Sequence, residues 1–283
     1  MAFVLPGGRL TAEDWRRGVR LAGGAAWYLG PWARRISGAS DDSAKLHRLE
    51  RRWCDRVRRF LRLDISVSGL DHVLPERRYV VLPLHEGFAD ALALMELGLD
   101  LRFVARDELF EWPTLGRYLR NTGQILIEAG AVRTSYRRLL TAGRAALESG
   151  ESLVIFPQGS ILGIEVAFWA GAFDVAEKLE AWILPVVLTG SHLVWEYPYS
   201  PLVRFSQQMS MKVLPPIPPG EAVARAADVE SEMKRIALGP GMAPARRFRP
   251  GVDGFWDEYS YEIDPSFPDL AAVVARHREQ RAG

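Results

Sequence analysis

His85 and Asp90 lie five positions apart in the stretch Val80-Val-Leu-Pro-Leu-His-Glu-Gly-Phe-Ala-Asp90, where an apolar strand hands over to a helix. An imidazole and a carboxylate at such a junction have the makings of a general base and the group that orients it. Inside one continuous helix, five residues would set the two side chains about 140° apart, too far to pair. With His85 still in the loop and Asp90 in the first helical turn, pairing becomes possible. The helix dipole then favours Asp90 as an anion, able to accept the hydrogen bond from His85 Nδ1–H. Nε2 is left to take a proton from a hydroxyl or a water, with no serine nucleophile required. A structural cap is the plainer reading of the same two residues.

Two more turns carry polar groups to comparable positions. Phe156-Pro-Gln-Gly-Ser160 follows a strongly apolar strand, so Gln158 and Ser160 offer neutral hydrogen-bonding groups and Gly159 permits close backbone approach. Gly123-Gln-Ile-Leu-Ile-Glu-Ala-Gly-Ala-Val-Arg133 is another strand leading to a loop, with a cation suited to phosphate at its end. Arg137, Arg138 and Arg144 follow on a helix, where arginines are commonly just solvated. The chain has no Gly-x-Ser-x-Gly elbow, no Walker loop and no Gly-x-Gly-x-x-Gly after a strand. His47, His72, His85, His192 and His277 are scattered without metal-ligand spacing, and His47, His72 and His277 are expected at the surface. No metal or cofactor is expected. Cys54, the single cysteine, falls within an amphipathic helix and excludes an internal disulfide.

Positioning these groups calls for an open sheet, in which ligands bind beyond the carboxyl ends of the strands. From residue 64 onward, short apolar strands alternate with amphipathic helices, which predicts an α/β fold with a mixed, largely parallel sheet flanked by helices. Strands are expected at Ile65–Ser68, Tyr79–Leu84, Leu101–Ala105, Gln124–Ile127, Ser152–Phe156, Ile183–Leu188 and Met209–Leu214. Helices are expected at Ala89–Leu97, Thr114–Asn121, Ser135–Ser149, Phe173–Leu179 and Asp228–Ala237. Ahead of the sheet comes a helical segment. Its first helix puts Trp15, Val19, Ala22, Ala26 and Leu29 on one stripe before Pro31 interrupts it. Its second, Asp41–Leu63, has the seam Leu46, Leu49, Trp53, Val57 and Phe60 among many arginines, and a cap in Asp41, Asp42 and Ser43. That basic amphipathic helix suits either a membrane interface or packing on the domain with its arginines solvated.

Composition narrows the classes. At 283 residues and 48% hydrophobic content, one large domain with appendages is the simplest organisation. A net charge of +1 removes any global electrostatic case for nucleic acid. No secretory signal pattern is visible at the amino terminus, and the uncharged stretch Leu21–Ala33 falls short of the about 20 apolar residues that span a bilayer.

In order, His85-x4-Asp90, the Gly123–Arg133 loop, Phe156-Pro-Gln-Gly-Ser160 and Ile183-Leu-Pro-Val-Val187 resemble the four motif blocks of the glycerolipid acyltransferases, specifically the PlsC-like 1-acylglycerol-3-phosphate acyltransferases. The resemblance runs from about Leu70 to Gly220 and includes Phe103-Val-Ala-Arg-Asp-Glu-Leu109 and Leu115-Gly116. It implies that His85 is the general base, oriented by Asp90, in moving a fatty acyl group from acyl-CoA or acyl-carrier protein to a lysophospholipid hydroxyl. It also implies substrate contacts from Arg133, Gln158, Gly159 and Ser160, and a cytoplasmic enzyme peripheral on the inner face of the membrane. The domain reading becomes a membrane-docking segment at 1–63, an acyltransferase domain at 64–240 and a covering tail at 241–283. This chain departs from the family where the third block usually reads Phe-Pro-Glu-Gly-Thr-Arg, since it has Gln158, Ser160 and Ile161. The family arginine that follows an acid in the second block is replaced by Ala129 after Glu128, with Arg133 nearest, and the asparagine before the motif histidine is Leu84. Those positions serve the acceptor's glycerol phosphate in the family. Two other readings follow: a non-phosphate lipid or natural-product acceptor, and a catalytically silent lipid-binding homologue.

Overall fold

The computed structural model of the chain describes residues 3–5, 8–39, 41–128, 131–161, 164, 166–197 and 202–239, with 271–272, 275–276 and 279 of the tail. Two short strands, β1 (Phe3–Leu5) and β2 (Gly8–Ala12), open it as an antiparallel hairpin. Helix α1 (Trp15–Trp27) follows, capped by the Asp14 carboxylate on Arg17 N–H at 2.8 Å. Pro31 does not end the helical path as expected. It sits in a wider π turn, Tyr28–Trp32, that leads directly into α2 (Ala33–Ser37). Helix α3 (Ser43–Leu61) is capped by Asp42 on Lys45 N–H.

The sheet elements then alternate: β3 (Asp64–Ser68), β4 (Tyr79–Pro83), α4 (Asp90–Leu94), β5 (Leu101–Arg106), α5 (Asp107–Phe110) and α6 (Leu115–Asn121). They continue with β6 (Ile125–Ile127), α7 (Val132–Glu148), β7 (Ser152–Val154), α8 (Ala170–Lys178), β8 (Trp182–Thr189) and α9 (Ser191–Val194). Last come β9 (Leu202–Val203), β10 (Gln208–Val213) and α10 (Ala226–Leu238). The main sheet has the order β3-β10-β8-β4-β7-β5-β6. Its pairs are parallel except β10 against β8, so β3 and β10 run opposite to the other five strands. These are the seven strands expected from the sequence. The small sheet β1-β2-β9 was not expected, and it means the segment ahead of the domain is not wholly helical.

Strand β4 occupies the middle of the sheet, and Tyr79, Val80, Val81 and Leu82 are all 0% exposed. Wholly burying each of the aliphatic side chains Val80, Val81 and Leu82 contributes about 1.5–3 kcal/mol. The strand's alternation divides the core. Val80, Leu82 and Leu84 pack with α7, α8 and α10, whereas Tyr79 and Val81 pack with α3 and α4. An apolar run buried on both faces is what a central parallel strand demands.

One expectation is overturned here. His47 is not a surface residue: it is 3% exposed, with Nδ1 at 2.9 Å from Glu50 and Nε2 at 2.8 Å from Glu151. Arg102 on β5 grips Glu151 as well, and Tyr118 OH donates to Glu50 at 2.6 Å. The cluster fastens α3 to the sheet. The α3 seam therefore packs on the domain, where Leu46, Leu49 and Cys54 are buried. Burial, with the Glu50 charge, holds the Cys54 thiol above its ordinary pKa, so it stays protonated. His277 and most of the 241–283 tail lie outside the described residues; of the expected helix Asp269–Gln280, the described residues 271–272, 275–276 and 279 are helical.

Candidate active site

The residues of interest gather at the carboxyl ends of the parallel strands. After β4 ends at Pro83, Leu84 N–H still bonds Val186 O, and the chain then leaves the sheet as a loop before α4 begins at Asp90. His85 remains in that loop, and its Nδ1 lies 2.6 Å from Asp90 Oδ2. The same carboxylate oxygen accepts the backbone N–H of Glu86 at 2.7 Å and of Gly87 at 3.1 Å. An ionised carboxylate only accepts, so this contact assigns the proton to Nδ1 and leaves Nε2 with its lone pair. Asp90 is fully buried, whereas the His85 side chain keeps 20% exposure and so stays within reach of a substrate.

The third block meets the first at this point. Phe156, just beyond β7, lies flat on the His85 ring with centroids 3.9 Å apart and planes 26° from parallel. Gln158 is buried, Ser160 is half-buried, and Gly159 adopts φ +63°, a left-handed conformation that favours glycine. Ile161 is 4% exposed, so an apolar side chain is enclosed where the family carries a cation. The turn is tied down by Trp169 N–H donating to Pro157 O at 2.6 Å.

Arg133 follows the second block. It is exposed on the first turn of α7, and among the described residues no hydrogen bond or ion pair joins it to His85 or to the Phe156–Ser160 turn. The acid of the second block, Glu128, is met instead by Arg138 at 3.0 Å.

Two residues of this region escaped the sequence reading. Glu86, 0% exposed, sends its carboxylate to Gly190 N–H at 2.9 Å and to His192 Nδ1 at 2.9 Å. An acidic residue next to the motif histidine, amid apolar neighbours, was the available signal. Its partner lies on the far side of β8 in sequence. Beside it, Phe88 enters an aromatic cluster with Trp112, Trp195 and Tyr197, placing its ring 4.7 Å from that of Trp195.

Comparison with known proteins bears on the same region. The acyltransferase family matches residues 64–189, from β3 to the end of β8. A 1-acyl-sn-glycerol-3-phosphate acyltransferase of Limnanthes alba is 27% identical over 161 residues, 55% of each chain. A lyso-ornithine lipid O-acyltransferase of Rhizobium meliloti is 31% identical over 113 residues, 40% of this chain and 37% of that one. The chain thus spans about half the length, or less, of these relatives. The crystal structure of the 1-acyl-sn-glycerophosphate acyltransferase PlsC from Thermotoga maritima superposes with a TM-score of 0.62, covering 77% of this chain and 92% of that one. At 18% identity, that likeness establishes the fold: the mixed, largely parallel sheet flanked by helices behind an N-terminal helical region.

Proposed function

We propose that this chain, whose residues 64–189 match the acyltransferase family, moves a fatty acyl group from an acyl-CoA or acyl-carrier-protein thioester to a hydroxyl of a lipid acceptor. The observation that carries the reading is the 2.6 Å contact between His85 Nδ1 and Asp90 Oδ2 at the exit of the central strand. His85 Nε2 takes the proton of the acceptor hydroxyl as its oxygen attacks the thioester carbonyl. The tetrahedral intermediate collapses, the C–S bond breaks, and the thiolate recovers the proton from His85. The products are an ester and a free thiol, with no covalent enzyme intermediate. Backbone N–H groups around Gly159 and Ser160 are the candidates to receive the oxyanion, with that of Gly159 exchanging its 3.1 Å bond to Phe156 O for the new acceptor.

Gln158 and the enclosed Ile161 favour a second reading of the acceptor, because a phosphate monoester placed here would meet neither the acid nor the cation of the usual third block. In this reading the acceptor is a lipid without a phosphate monoester, such as an amino lipid or a glycolipid. The relative that acylates lyso-ornithine lipid supports it. Residues 1–63 serve as the docking segment, 64–240 as the catalytic domain and 241–283 as a cover, and the protein works from the cytoplasmic side, peripheral to the inner face of the membrane.

Incubating the protein with long-chain acyl-CoA or acyl-carrier protein and a panel of lysolipids, and following thiol release, tests the proposal. His85→Ala is expected to lower the rate by about 10²–10⁴-fold. Equal release by the variant would reject His85 as base, and lipid binding without turnover for every donor would identify a silent homologue. A strong preference for lysophosphatidic acid would reject the second reading.

A further inference from the structure

Beside the His85–Asp90 pair stands a second carboxylate–imidazole pair for which the acyl-transfer chemistry has no use. Glu86 and His192 are 0% and 5% exposed, and Glu86 Oε2 accepts from both Gly190 N–H and His192 Nδ1 at 2.9 Å. The two pairs are built alike, each with one carboxylate oxygen receiving an imidazole Nδ1–H together with backbone N–H, two on Asp90 and one on Glu86. They also share a residue: the main-chain N–H of Glu86 donates to Asp90 Oδ2 at 2.7 Å while its side chain reaches α9.

Further contacts fix the same loop to the same segment. A Cβ added at Gly87 would come within 2.7 Å of Ser191 O and Oγ, so only glycine allows this approach. Phe88 N–H donates to Trp195 O at 3.1 Å. A second acidic side chain buried near Asp90 is electrostatically unfavourable, and a residue that merely filled space would do so better with an apolar side chain. A hydrogen-bonded carboxylate instead fixes a backbone direction, and the direction fixed here is that of the two N–H groups on Asp90. His192 and α9 lie just beyond the residues that match the acyltransferase family, so the anchor comes from past the matched segment.

We infer that Glu86 and His192 are positioning residues for the catalytic pair. Together they clamp the loop so that Asp90 Oδ2 stays on His85 Nδ1 and the base keeps its working tautomer. The kinetic part of this inference rests on the acyl-transfer reading; the structural part does not.

The test uses the full chain with ¹⁵N-labelled histidine and three variants: Glu86→Gln, His192→Ala and His192→Asn. The Asn amide N–H takes the place of imidazole Nδ1–H, so it restores the donor. In folded protein, Glu86→Gln and His192→Ala are expected to lower kcat by about tenfold to a hundredfold with little change in KM, as loss of alignment does. The low-field Nδ1–H resonance of His85, identified by its loss in Asp90→Asn, is expected to shift or broaden in both. His192→Asn is expected to recover kcat and resonance alike. Folded Glu86→Gln and His192→Ala proteins with wild-type kcat and an unmoved His85 resonance would overturn the inference, as would failure of His192→Asn to rescue. If Glu86→Gln does not fold, the two His192 variants decide alone. If the wild type turns over no acyl donor, the acyl-transfer reading fails and the His85 resonance alone judges the positioning role.

Discussion

Asp90 collects three hydrogen bonds on a single oxygen, one of them from His85, which makes it a fixture of the loop as much as a partner of the base. Asp90→Asn keeps the shape and reverses part of the hydrogen bonding, since the amide nitrogen donates where the carboxylate accepted. The expected outcome is a loss of about 10²–10⁴-fold in kcat with KM nearly constant, because the imidazole loses its orientation and its preferred tautomer. Thiol-release kinetics would show it, and an unchanged kcat would reduce Asp90 to a helix cap. The pairing of His85 with Asp90 was legible in sequence because the strand-to-helix junction and its two polar groups lie within one short stretch. Glu86 with His192, and His47 with Glu151, were not legible, because their partners lie 106 and 104 positions away and no local period announces them. Arg133, read from the sequence as a cation suited to phosphate, is exposed on the first turn of α7, a placement that leaves its guanidinium open to a ligand.

Among the elements, α3 depends on the His47 cluster for its hold on the sheet. Burial alone would lower the His47 pKa, but the Glu151 and Glu50 carboxylates outweigh it and raise it from 6.5 to about 9. Burial likewise works against the Glu151 anion, and the His47 and Arg102 hydrogen bonds outweigh it, taking the carboxyl from 4.5 to about 2. The signs follow by linkage. His47 contributes stability that is fully present below pH 6.5 and is lost as pH rises through about 9, and Glu151 contributes stability present above pH 4.5 and lost as pH falls through about 2. Chemical denaturation is therefore expected to show a falling midpoint from pH 6.5 to 9 in the wild type, and a flatter one in His47→Gln. Parallel curves for the two proteins would remove His47 as the titrating group. The regular elements themselves were readable from sequence, because apolar runs of strand length alternate with 3.6-residue periods. The hairpin of β1 and β2 was not, being short and completed only by the two-residue strand β9.

For the whole molecule, the proposed membrane docking asks which face would meet lipid. The stripe read from the sequence of α1 points outward, with Trp15 and Val19 69% and 53% exposed; Trp27, outside that stripe, is 55% exposed, while Gly18, Leu21 and Gly24 are buried. Arg16 stacks over Trp15 and Arg35 over Trp32, so basic groups accompany aromatic ones in this segment, as in interfacial helices. No helix among the described residues is long and apolar enough to cross a membrane. Sedimentation with anionic phospholipid vesicles is expected to carry down the wild type, and Trp15→Ser/Val19→Ser/Trp27→Ser is expected to stay largely in the supernatant with its melting temperature preserved. Equal sedimentation would move the docking face elsewhere. Finally, the pairing of β3 with β10 has a bearing on biosynthesis. Ser66 on β3 bonds Met209 on β10 across 143 positions, and among the described residues β10 is the only strand beside β3 in its sheet. A nascent chain therefore exposes β3 on the ribosome long before its neighbour is translated, and a chain truncated ahead of residue 208 is expected to resist folding and expose that strand to proteases and chaperones.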